Sequence, residues 1–451
     1  MKNKKKISIF LLVVSLFMAS LFSGCLKERN KVNYKMTLEV WGVFDDTEDF
    51  GMINNEFARA NPQITEIKYK KISANALEYE KELFDAIASG KGPDVVFFNN
   101  TWLPKHQNKL ASLPSSEKYL SFYKENFVDV ANADFVKDNE IYAMPLWSDT
   151  LALYYNKDIF NQNGVTAPPK TWAGVEDITK KITRIDNFGN INQSAIALGR
   201  SSEPGGINRS SDILMLMMMQ NGSEMFDERT GMAIFERNQS SRETLDFYTK
   251  FATGSSDYYT WNSNMDYSID SFRFGKTAMM VNYAYLAERL RKLDPKFNFD
   301  IAPVPQHNLN KQINFANYWG LAVVKNKELV PIRKDYKVNY TNQDRINEAW
   351  YYIQYMTTNI NKGTEFDATK IYLEQNKKPA ARRDLVEEQK NDVELSVFAN
   401  QILTAKSWSQ PDNLAVEEVF VQMIDDVVAG KTTVYEALKI GVSRVNNLIK
   451  K

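Results

Sequence analysis

The run Val95-Val96-Phe97-Phe98, entered through Pro93-Asp94 and closed by Asn99-Asn100, is apolar at consecutive positions. As a strand it has two faces to hide, which places it inside a sheet covered by helices on both sides. The residues before it agree. Met36-Thr37-Leu38-Glu39-Val40-Trp41 alternates apolar and polar up to Gly42 and predicts a first strand. After an acidic turn at Asp45 to Asp49, Met52, Ile53, Phe57 and Ala60 recur at helical spacing until Asn61-Pro62. A second strand is expected over Ile64 to Ile72. Leu77, Leu83, Phe84 and Ile87 then line one face of a helix that stops near Gly90 and Gly92, because glycine tolerates the left-handed conformation at a helix end. Strand, helix, strand with short connections implies parallel strands. Ligands of such sheets meet the C-terminal strand ends, which brings Trp41 to Asp45 near Phe98 to Trp102.

The N-terminus belongs to another phase of the chain's life. Met1 to Lys6 carries four lysines, and Ile7 to Phe22 is sixteen apolar or small residues, three of them serine. That is short for a span that needs about 17 to 25 apolar residues, and it fits the h-region of a signal peptide. The run ends in Phe22-Ser23-Gly24-Cys25, which resembles the bacterial lipobox and implies lipidation of Cys25, palmitate included. Residues 1–24 are expected to be cleaved and 25–35 to be a polar tether. The 56 basic and 56 acidic residues cancel in the full chain, but cleavage removes four lysines and no acid, leaving a body of net charge −4. A global cationic field for nucleic acid is absent. One Cys and two His exclude disulfide frameworks and thiolate- or His-rich metal clusters, and the acidic turn lacks calcium-loop spacing, so neither metal nor cofactor is expected.

Several landmarks carry a family resemblance. Gly90-Lys91-Gly92-Pro93-Asp94-Val95-Val96 leads into a strand. Ile141-Tyr142-Ala143-Met144-Pro145, Leu153-Tyr154-Tyr155-Asn156-Lys157-Asp158-Ile159-Phe160, Gly164 and Pro168-Pro169-Lys170-Thr171-Trp172 follow in order, then Phe274-Gly275-Lys276-Thr277-Ala278-Met279-Met280-Val281, Asp300-Ile301-Ala302-Pro303-Val304-Pro305 and Gly320-Leu321-Ala322-Val323. Together they resemble the family 1 extracellular solute-binding proteins, the maltose-type receptors of ABC importers. The resemblance implies a periplasmic-binding-protein-like α/β fold, two α/β lobes joined by a multi-segment hinge with a ligand cleft between them. The expected first lobe is 36–147 and 322–378, and the second is 148–321 and 379–451. Crossings are expected near Pro145 to Asp149, Trp319 to Ala322 and Pro379.

Local chemistry fills in this frame. Asn156 is suited to cap a short helix and Thr171 to cap the next, with Trp172 packing at its start. Ile213 to Met219 reads as a methionine-rich core helix. The spacing of Val416, Val419, Phe420, Met423, Ile424, Val427 and Val428 predicts an amphipathic helix on a globular core. Lys377 and Lys378 read as a solvated basic loop.

The implied function is an extracytoplasmic, lipid-anchored, monomeric receptor that passes a mono- or oligosaccharide to an ABC transporter permease. A sugar needs aromatic plates and planar polar groups. The expected plates are Trp41, Trp102, Trp147, Tyr285, Trp319 and Trp408, and the expected polar contacts are Asp45, Asn100, Asp149 and Arg383. Two other readings stay open, a receptor for another small solute or peptide and a surface polysaccharide-processing enzyme. The enzyme reading lacks a phosphate loop, a His-Glu-x-x-His helix or a Gly-x-Ser-x-Gly elbow, so the chain is expected not to be an enzyme.

Overall fold

The computed structural model describes residues 33–113, 116–202, 206–331, 337–359 and 366–449, so the leader and Cys25 lie outside the described residues. The strands of its two large sheets are, in chain order, β1 Met36–Val43, β2 Ile64–Ser73, β3 Val95–Asn99, β4 Leu110–Ala111, β5 Ala143–Pro145, β6 Ala152–Asn156, β7 Arg184–Ile185, β8 Ile191–Ile196, β9 Thr277–Asn282, β10 Phe299–Pro303 and β11 Trp319–Val324.

The first sheet has the order β2-β1-β3-β11-β4, with β5 also paired to β11. β1 runs parallel to β2 and β3, as the strand-helix-strand order predicts, whereas β11 runs antiparallel to β3, β4 and β5. All of β3 is buried, in accord with its apolar run. The second sheet has the order β10-β6-β9-β8-β7, in which β8 and β9 are parallel and β6 is antiparallel to both neighbours. Each sheet has its own core. The first gathers Leu38, Val40, Phe50, Phe97 and the helix Asn342–Thr357, and the second gathers Leu153, Met279, the helix Ser210–Gln220 and the two last helices, Asn413–Val428 and Val434–Ile449. The molecule is two α/β lobes with a cleft between them. Among the described residues no helix is long and apolar enough to cross a membrane.

The predicted caps form. Asn156 Oδ1 accepts from the backbone N–H groups of Asp158 and Ile159, each at 3.0 Å, and Thr171 Oγ1 accepts from Gly174 at 3.1 Å, starting the helices Lys157–Gln162 and Trp172–Ile182. Trp172 is buried and donates to Gln220 at 2.7 Å, the packing role read for it.

The lobes are joined where three passages lie together. The Leu146 N–H donates to Trp319 and the Ser148 N–H to Pro379, while Asn317 donates back to Asp149. Asp134 of the first lobe accepts from Asn100 at 3.0 Å, from the Tyr318 hydroxyl at 2.7 Å and from Ser407, tying the second and third passages to one carboxylate. Two expected boundaries move. β11 pairs with β3 from Trp319 onward, so the chain is back in the first lobe ahead of Ala322. Beyond Pro379 the chain stays in the first lobe: Arg382 is buried in an ion pair with Asp367, and Leu385 and Val386 join the first core. The third passage therefore lies between the helix Arg383–Gln389 and Trp408, which packs in the second core. The small residues after Pro379 look like a hinge in sequence, but the paired Arg382 anchors them.

Candidate ligand cleft between the lobes

A cavity between the lobes has a volume of about 500 Å³ and draws its walls from both of them, within the range typical of small-molecule sites. On the first-lobe side the turn after β1 sets the geometry. Phe44 takes a left-handed backbone conformation, φ 72°, which turns its ring outward, 41% exposed, edge-on to Trp319 with centroids 5.6 Å apart. Gly42, two residues before it, is required, because a Cβ there would lie 2.1 Å from the Tyr69 hydroxyl that donates to the Asp45 carbonyl. The Asp45 carboxylate accepts from the Tyr372 hydroxyl at 2.6 Å and from Lys378 Nζ at 2.5 Å. Lys378 also stands 3.9 Å over the Trp147 ring. Burial pulls the Lys378 pKa below its usual range against the opposing pull of Asp45.

On the second-lobe side Asp149 is buried at the floor, where Thr150 N–H donates at 2.8 Å and Ala284 N–H reaches both carboxylate oxygens at 3.0 Å. Burial pushes its pKa up to about 7 despite those hydrogen bonds. Tyr285, at the start of the helix Tyr285–Leu293, is 46% exposed into the cleft. Arg209 precedes the helix Ser210–Gln220 in another left-handed position, φ 62°, and its guanidinium lies 5.3 and 6.0 Å from the Tyr283 and Tyr285 rings. The cleft thus opposes aromatic faces on two walls with fixed polar groups between them. Among the described residues no cluster of three or more His, Cys, Asp or Glu is disposed to hold a metal.

The family model of the bacterial extracellular solute-binding protein matches residues 50–363. The chain belongs to that family. Curated relatives of this solute-binding protein include a putative binding protein of Brucella abortus, 20% identical over 64% of this chain and 75% of the relative, and the maltodextrin-binding protein MdxE of Bacillus subtilis, 23% identical over 82% of each. Among solved structures, a cyclo/maltodextrin-binding protein complexed with maltotetraose superposes with a TM-score of 0.72 at 16% identity, covering 94% of this chain and 99% of that one. A solute-binding protein of Thermotoga lettingae bound with α-D-tagatose gives 0.69 at 20% identity, covering 92% and 100%. The two-lobed fold expected from the sequence is the fold of these proteins.

Of the residues singled out in the sequence, Asp45, Trp147, Asp149, Tyr285 and Trp319 line the cleft of this solute-binding protein. The others do not. Trp41 shares the strand face of Glu39, donates to its carboxylate at 2.7 Å and is covered by Lys70. Trp102 is buried against Tyr79 and, at 4.9 Å, against Trp319, so it backs a cleft residue without reaching the cleft. Asn100 is spent on Asp134 and the Tyr318 N–H. Arg383 pairs with Asp129 at 2.6 Å away from the cleft, and Trp408 is buried in the second core with its indole N–H 3.1 Å from the Met215 sulfur. Phe44, Arg209, Tyr283 and Asn317 line the cleft unannounced, as does Lys378, which had read as a solvated loop residue. For Phe44 and Tyr283 a signal existed: each is an aromatic residue just past the end of a central strand.

Proposed function

We propose that this protein is an extracytoplasmic lipoprotein that binds a saccharide between its lobes and delivers it to an ABC transporter permease in the cytoplasmic membrane. The carrying observation is the exposed Phe44 and Tyr285 rings on opposite walls of one cleft, with Asp45 and Asp149 held by donors between them. Aromatic faces receive the apolar face of a pyranose, and fixed carboxylates take its hydroxyls. Family membership supports the receptor role, and relatives named for maltodextrin and maltotriose binding, with a protein of similar fold that has mannotriose bound, support the ligand class.

Asp45, Trp147, Asp149, Tyr285 and Trp319 are the proposed contacts from the sequence, with Phe44 added. The protein acts as a monomer tethered through Cys25, and its closing around ligand is the signal the permease reads. Calorimetric titration against mono- and oligosaccharides, with peptides as controls, tests the ligand class. Heat from peptides and none from any sugar would replace this reading with that of a peptide receptor. For the anchor, Cys25→Ser abolishes incorporation of a labelled fatty acid and releases the protein from the membrane fraction.

A further inference from the structure

The carboxylates of the cleft are already matched. Asp45 is hydrogen-bonded to Lys378, Glu288 is ion-paired with Lys292 at 2.7 Å and Glu394 with Arg291 at 2.7 Å, and Asp149 is held by backbone N–H groups. Its arginines are not matched in the same way. Arg209 has Asp212 as its nearest carboxylate at 3.8 Å, too long for a hydrogen bond, and its Nε is buried without a partner among the described residues. The Asp212 carboxylate is instead engaged by the Tyr283 hydroxyl at 2.9 Å. Behind Arg209, burial favours the neutral forms of Asp212 and Glu417, the latter with a pKa of about 7. Arg289 is exposed on the cleft wall, one helical turn from Tyr285 on the same helix, and makes no ion pair with a described carboxylate. The exposed Tyr285 ring therefore shares the cleft wall with two guanidinium groups that have donors to spare.

We infer that the saccharide carries an anionic substituent, a uronate carboxylate or a phosphate ester, which Arg209 and Arg289 receive while its ring packs on Tyr285. A guanidinium fork matches both groups bidentately. The inference rests on the saccharide reading above and narrows it.

The test titrates the purified protein with a galacturonic acid trimer, maltotriose and glucose 6-phosphate. At least one anionic probe is expected to bind roughly tenfold or more tighter than maltotriose, as charge-assisted hydrogen bonds imply, with the advantage shrinking as salt is raised. Preference for the trimer assigns the carboxylate, and preference for the phosphate assigns the ester. Arg209→Gln and Arg289→Gln should each bring the anionic-to-neutral ratio toward one. Arg289 is exposed on its helix, so its variant remains informative if Arg209→Gln fails to fold. Maltotriose binding as tightly as both anionic probes overturns the inference and leaves the saccharide reading standing. An unchanged ratio in the Arg289 variant and in a folded Arg209 variant overturns the assignment to these residues. Silence from these probes and from the wider sugar panel removes both readings together.

Discussion

Phe44 combines a bulky side chain with a positive φ, which L-residues other than glycine adopt at a cost of roughly 1 kcal/mol. Its ring stays 41% exposed beside Trp319, so the strain is intelligible as a means of presenting an aromatic face. Phe44→Gly is expected to leave stability unchanged or raise it by up to about 1 kcal/mol in urea denaturation, while saccharide affinity in calorimetry falls about tenfold. Asp149 gives a pH prediction. Its folded pKa of about 7 lies above the ordinary carboxylate value near 3.8, so the folded state holds the proton more tightly. Its contribution to stability is greatest below about pH 4, declines as pH rises and is gone above about pH 7, with an upper bound near 4 kcal/mol. Asp149→Asn loses acceptor capacity at every pH but is blind to that decline. The wild-type advantage over the variant should therefore narrow as pH rises from about 4 to 7 in denaturation midpoints. Sequence reading found Asp45 and Asp149 because both follow the end of a strand or enter a crossing. It named Trp41 as a plate and passed over Phe44. The strand's period of two put Trp41 beside Glu39, and a single left-handed residue, invisible to periodicity, put Phe44 into the cleft.

At the scale of elements, local chemistry was most readable where caps and periodicity agreed. Asn156, Thr171 and the alternation of Met36 to Trp41 each encode their own geometry within a few residues. The antiparallel insertion of β11 between β3 and β4 was not readable, since pairing partners lie more than 200 residues away and nothing local names them. The helix Ser210–Gln220 is buried on every side, so its methionines and leucines have neighbours all round. Leu214→Ala is expected to cost about 2 to 5 kcal/mol, measured as a shift in the urea midpoint, the span depending on how far the adaptable methionines collapse into the space.

At the scale of the molecule, the lobes also meet away from the hinge. Lys105 of the first lobe bonds to the buried Glu80 at 2.9 Å and to Asp412 at 2.7 Å, and Asp412 caps the second-lobe helix Asn413–Val428. A partly exposed pair of this kind is worth about 0.5 to 1 kcal/mol. Lys105→Ala should raise the open fraction of the unliganded protein about two- to fivefold, read as a longer interlobe distance between dyes placed on the two lobes. The two-lobed plan was legible because its landmarks recur along most of the chain. The third passage was not, because one buried pair, Arg382 with Asp367, decides which lobe keeps the residues after Pro379. The interleaving of the lobes also sets an order of events. During synthesis β3 is made early, but β11, which covers its free edge, emerges only after the whole second sheet. Until then the first lobe has an unpaired central edge and cannot close, so its folding is late and dominated by distant contacts. A chain that must stay threadable while it leaves the cell gains by this delay: the strand that locks the first lobe is the last of the two large sheets to arrive.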